Sequence, residues 1–163
     1  MNQRSISDVF QIDSPEALIG EVLKILDSTS PDFDKASIRR VFETVGKLYD
    51  GQMPGYRACN TGYHDLQHAN NTLLAMARLI HGAVIEGIDF SESDIVSGIV
   101  AAILHDVGYV QEASDIEGTG AKHKATHEQR SKDFLSRHGR LRSRKVRKAI
   151  ISSESRYQGQ GPR

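Results

Sequence analysis

Ile99-Val100-Ala101-Ala102-Ile103-Leu104-His105-Asp106-Val107-Gly108-Tyr109 closes an unbroken run of small and aliphatic residues, begun at Gly98, on an imidazole and a carboxylate. Such a run belongs in a buried core, where an unpaired charged or polar side chain is expensive. Two readings lower that cost. Either His105 and Asp106 form a buried ion pair, or they ligate a divalent metal, for which both are good donors. Gly108 lets the helix break, so these neighbouring side chains need not diverge as they would within a helix.

The wider sequence favours the metal. In Tyr63-His64-Asp65-Leu66-Gln67-His68-Ala69, the histidines are four residues apart. That spacing predicts one helical face, with about 6 Å between them along the axis. The leucines and methionine from Leu73 to Leu79 follow at helical spacing, so both histidines are expected on the first turn of a long buried helix. His123 and His127 repeat the spacing, whereas His81 and His138 stand apart and read as structural. Histidines of a solvated surface would scatter; grouping on predicted helices indicates one metal centre.

These motifs, in this order, resemble the HD superfamily of metal-dependent phosphohydrolases over residues 40–140. The Tyr63-His64-Asp65-x-x-His68-Ala69 block is similar to the Tyr-His-Asn-x-x-His-Ala signature of the cyclic-nucleotide phosphodiesterases, with Asp65 in place of asparagine. Leu104 to Tyr109, Thr119-Gly120-Ala121 and His127-x-x-Arg130-Ser131 look like bacterial HD proteins. The resemblance implies an all-helical fold with a first metal on His68, His105 and Asp106, and Asp106 as the bridge to a second. It gives His64 the task of protonating the leaving group, its tautomer held by Asp65 or another carboxylate. The simpler alternative for His64 is a helix-start residue bonded to the loop. His123 and His127 are expected either on the second ion or lining the phosphate pocket, with Gln67, Gln129 and Arg130 as further pocket candidates. The ion is one or two of Fe, Mn, Zn, Ni or Mg.

One element departs from the pattern. The superfamily's last ligand is a downstream aspartate, yet no aspartate follows Asp133, and Glu154 is the carboxylate at a comparable position. The expectation is a truncated or degenerate version, with residues 158–163 a disordered tail.

At 163 residues the chain is expected to form one domain, 1–163, with a core that needs no disulfide staples. Cys59 is the single cysteine, which suits a reducing cytoplasm, and neither a signal segment nor a membrane-spanning run is evident. The formal charge of zero hides an asymmetry: from Arg130 onward eleven Lys or Arg stand against two acidic residues, Asp133 and Glu154. The basic run Arg137 to Lys148 reads as a solvated helix face, or as a surface that steers a phosphorylated substrate or binds nucleic acid. No aromatics interleave with it, which disfavours single-strand binding.

Helix signals fill the rest. Ser14-Pro15-Glu16 opens a helix to Asp27, Ser37 is a candidate cap for the next, and Gly51 to Gly62 form a loop. The long helix from His64 ends before Gly87, and Ser91 or Ser93 caps the helix reaching His105. A loop from Val110 to Ala121 precedes a helix carrying His123 and His127, and Arg140 to Ser152 form a last one. No alternating strand pattern appears. The expected fold is all-α, a single helical bundle of about six or more helices. Three functions remain open: a phosphohydrolase of nucleotide-like or small phosphorylated substrates, a non-catalytic HD-fold ligand-binding or regulatory module, and a nucleic-acid-binding protein.

Overall fold

A computed structural model describes residues 14–31 and 34–138. The helix expected over Arg140 to Ser152, the tail expected over residues 158–163 and Glu154 lie outside the described residues. Within them the fold is all-α: helices α1 (Pro15–Thr29), α2 (Lys35–Tyr49), α3 (Leu66–Ile85), α4 (Glu92–Leu104) and α5 (His127–Arg137), with 3-10 turns at Val107–Tyr109 and Gly120–Ala125. An isolated bridge between Tyr56 and Glu112 is the only extended pairing among the described residues. No helix among them is long and apolar enough to cross a membrane.

Side chains at the first turns set the boundaries. Ser14 accepts from Ala17 N at 3.1 Å and starts α1. Asp34, not Ser37, caps α2: its carboxylate accepts the Ser37 N–H at 3.1 Å and the Ser37 hydroxyl at 2.5 Å. Aspartate is as good a cap as serine, and here it comes three residues earlier. Ser91 and Asp94 form a reciprocal capping box on α4. Gly87, in the left-handed region at φ 87°, turns the chain beyond α3.

Helix α3 is the centre of the packing, with α1 and α4 against it. Leu73, Leu74 and Ala77 of α3 meet a core shared with Val22 and Leu26 of α1, Val45 and Leu48 of α2, and Ile99 and Ile103 of α4. Each fully buried aliphatic side chain there contributes about 1.5–3 kcal/mol. This core holds the start of α3 and the end of α4 side by side, so that His68 and His105 face one another.

Candidate metal centre

Asp106 follows the apolar run of α4 directly and is 3% exposed. Four imidazoles from four segments converge on it. His64 Nδ1 lies 2.7 Å from Oδ2, His105 Nε2 2.9 Å and His68 Nε2 3.3 Å from the same oxygen. His127 Nε2 approaches the other oxygen, Oδ1, at 3.9 Å. His64, His68 and Asp106 form a group whose donor atoms can share a metal ion.

The donor chemistry fits a cation. A carboxylate oxygen has about two lone-pair directions, yet three ring nitrogens crowd Oδ2. His105 Nδ1 faces the Ala102 carbonyl at 2.8 Å and so carries a proton there. In the neutral ring, Nε2 is then an acceptor facing a carboxylate oxygen. It also faces His68 Nε2 at 3.2 Å. Acceptors that close repel unless positive charge lies among them, as added protons or as a metal. Donor atoms at about 2.0–2.1 Å from one ion sit about 3 Å from each other, the spacing found between His68, His105 and Asp106. The Nδ1–H to carbonyl bond of His105 is itself the support a metal-bound imidazole needs to fix its tautomer. His127 repeats it, with Nδ1 2.8 Å from the Lys124 carbonyl and Nε2 toward Asp106.

His64 reaches the centre by a route other than the one its spacing suggests. It does not lie on α3, because Asp65 is the N-cap and accepts the His68 N–H at 2.8 Å. With Asp65 so engaged, Asp106 is the carboxylate that holds His64 Nδ1. The two rings still meet, at 5.7 Å between centroids, but through a turn and not along one helical face.

A stack of three rings spans the site. Tyr109 lies between His64, at 4.2 Å and 15°, and His127, at 4.5 Å and 17°. Burial raises the Tyr109 pKa, with Asp106 adding to it, so its phenol stays neutral. Nothing in the sequence marks Tyr109 for this, because residues 64, 109 and 127 share no local spacing.

Helix α5 is fastened to the His-Asp turn by its first residues. Ser131 Oγ accepts from Gly108 N at 2.9 Å and donates to the His105 carbonyl at 3.0 Å. Arg130 donates to the carbonyls of Gly108 and Val110 at 2.7 and 2.9 Å. Its guanidinium thus clamps backbone, a different task from the pocket role its position suggests. Gln129 donates to Asp133 at 2.9 Å, and Gln67 is exposed. His81 meets Thr29 Oγ1 at 3.2 Å, and His138 stacks on Phe134 at 4.3 Å, both structural contacts.

His123 is not brought to Asp106. It belongs to the 3-10 turn Gly120–Ala125, separate from α5, and its Nε2 lies 3.0 Å from Asp115 Oδ2. Lys122 pairs with the same carboxylate. The expected single helix carrying His123 and His127 is interrupted at Thr126, whose φ of −125° leaves helical geometry. The loop before it hangs on buried Gln111, which donates to the carbonyls of Asp115 and Glu117 at 3.2 and 3.0 Å.

Hydrogen bonding from Lys122 is the main reason the Asp115 carboxyl falls from 3.8 to about 2; His123 adds to it, while burial opposes it. A carboxyl whose pKa drops on folding stabilises the fold above its unfolded pKa, and this contribution fades as pH falls from about 4 toward 2. The stability difference between the wild type and Asp115→Asn, read by urea unfolding at pH 6, 4 and 3, should therefore shrink as the pH falls. A difference constant across that range would refute the pairing.

No protein-family model, curated protein or solved structure matches the chain.

Proposed function

We propose that the chain is a metal-dependent phosphohydrolase of the HD type, acting on a nucleotide-like or small phosphorylated molecule. The observation that carries this is the convergence of four imidazoles on buried Asp106. The motif order His64, His68, His105-Asp106 and its likeness to the HD pattern support it. In this reading His68, His105 and Asp106 hold the first ion. His127, on the opposite carboxylate oxygen, serves a second ion or the substrate phosphate, and His123 anchors the loop through Asp115. When bound, a divalent ion supplies Lewis-acid polarisation of a phosphoryl oxygen and an acidified water. In the doubly protonated ring, Asp106 accepts from His64 Nδ1–H and the Nε2–H gives its proton to the departing oxygen. Tyr109 keeps the His64 and His127 rings parallel and a fixed distance apart.

A second reading has one observation in its favour. Among the described residues, Asp106 is the only carboxylate these four imidazoles contact, whereas Asp133 faces Gln129. A centre with one carboxylate suits a ligand-binding or regulatory module without turnover.

Metal content and turnover separate the two. The full chain is purified, its metals measured, stripped with a chelator and reloaded with Mn, Fe, Zn, Ni or Mg in turn. Phosphate release is then followed on a panel of phosphomonoesters, and nitrophenol release on a phosphodiester. Hydrolysis that chelation removes and reloading restores is the expected result. Bound metal without turnover on any substrate selects the regulatory module, and a chain that takes up no metal defeats both.

A further inference from the structure

We propose that Asp115 is a positioning residue for His127: acting through His123, its carboxylate fixes the ring orientation and tautomer with which His127 meets the centre. This rests on the metal-centre reading in that it takes His127 as a ligand of the second ion.

The backbone and the ring of His127 are held by different parts of the fold. The backbone opens α5, whose first residues Arg130 and Ser131 are tied to the His-Asp turn at Gly108. The ring is set from the other side. Its Nδ1–H donates to the Lys124 carbonyl at 2.8 Å, which leaves Nε2 as the unprotonated nitrogen toward Asp106. Lys124 belongs to the 3-10 turn Gly120–Ala125, so the ring depends on where that turn stands.

The turn has two anchors. At its front, the Gly120 N–H donates to Asn60 Oδ1 at 2.9 Å. At its rear, His123 is the one residue between Gly120 and His127 that is not exposed. Its Nε2–H donates to Asp115 Oδ2 at 3.0 Å, and its carbonyl accepts the Thr126 N–H at 2.8 Å. Exposed residues have no packing to hold them, so the Lys124 carbonyl stays in place through this one carboxylate. Asp115 is fixed in turn. Lys122 pairs with its other carboxylate oxygen, and its carbonyl accepts from Arg57 and Gln111 at 2.9 and 3.2 Å. These backbone bonds keep the loop folded when the carboxylate is removed, so that only the rear of the turn is freed. Nδ1 then loses its acceptor, and its proton can move to Nε2, where it blocks ligation of an ion.

Nitrogen-15 and proton NMR of the metal-free full chain test this, at a pH where the imidazoles are neutral. The His127 signals are those that vanish in His127→Ala. In the wild type they should show the proton on Nδ1, and C–H protons shifted upfield by Tyr109, whose ring lies 4.5 Å away at 17°. Asp115→Ala and His123→Ala should each mix the tautomers and relax that shift. His64, on the other face of Tyr109, should keep its own shift. His123→Gln, whose amide N–H can still donate to Asp115, should restore the wild-type pattern. Unchanged His127 signals in both alanine variants overturn the proposal. A change that reaches His64 as well does the same, because it reports a general loss of the site.

Calorimetric titration with Mn reads the consequence. Asp115→Ala should weaken by about tenfold the same ion that His127→Ala weakens, and the double variant should lose no more than His127→Ala alone. Additive losses, or a His127→Ala protein that binds every ion as the wild type does, also overturn it. Phosphate release by the wild type is scored separately: its absence defeats the phosphohydrolase reading and leaves the ring result standing.

Discussion

Asp106→Ala should release the metal and abolish hydrolysis together. The carboxylate touches His64, His68 and His105 through one oxygen and faces His127 through the other. Its removal takes away the only carboxylate among the described residues that these rings contact and leaves imidazoles facing each other. Loss of a supporting residue around a metal already costs about 10–100-fold in affinity, so losing the central ligand should cost at least about a hundredfold. Asp106→Asn keeps the shape and removes the charge. It should fail nearly as completely if the charge is what binds the ion, as elemental analysis and phosphate release would show. An Asp106→Ala protein that retains full metal occupancy would place the centre elsewhere.

His64→Ala makes the companion measurement. As proton donor, His64 is needed in turnover and not in binding, so metal should stay while hydrolysis slows about a hundredfold or more. The effect should appear with a poor leaving group and nearly vanish with nitrophenolate, which leaves without a proton. His64 also belongs to the group of donors that can share an ion. Loss of metal on His64→Ala would therefore reassign it from proton donor to ligand.

The fold was legible because its signals are local. The Ser91 and Asp94 box, the apolar run to Leu104 and Gly87 after α3 each act within a few residues of where they stand. His105 and Asp106 were legible as a polar pair that a core run does not end on without a partner. Spacing failed where one cap intervened. Asp65 could read as an interior residue between two histidines, but its carboxylate takes the His68 N–H, and the helix begins after His64. The same four-residue spacing misplaced His123, because a 3-10 turn and Thr126 separate it from His127. The ring stack on Tyr109 joins three distant segments and has no sequence period to reveal it.

Gly108 shows the difference between a residue that permits and one that is required. Read from sequence, it allows the helix to break after Asp106. In the fold, a Cβ at this position would stand 1.9 Å from the His127 carbonyl oxygen, 2.7 Å from its carbon and 2.9 Å from its Cα. All three are backbone atoms, so no rotamer change relieves the clash, and the start of α5 must retreat by at least about 1 Å. That retreat strains the Ser131 bond to Gly108 N and the Arg130 bond to the Gly108 carbonyl. It also moves His127 away from Tyr109 and Asp106. Gly108→Ala should therefore destabilise the chain by about 3 kcal/mol, a fall in Tm of about 10 °C for a domain this size. Gly20 is the control: it lies inside α1 with nothing within 4 Å of its would-be Cβ. Gly20→Ala should instead stabilise by up to about 1 kcal/mol, because alanine is the better helix former. Thermal unfolding of the two variants beside the wild type should move Tm in opposite directions. If Gly108→Ala melts with or above the wild type, α5 does not pack against the His-Asp turn as described, and His127 loses its place at the centre.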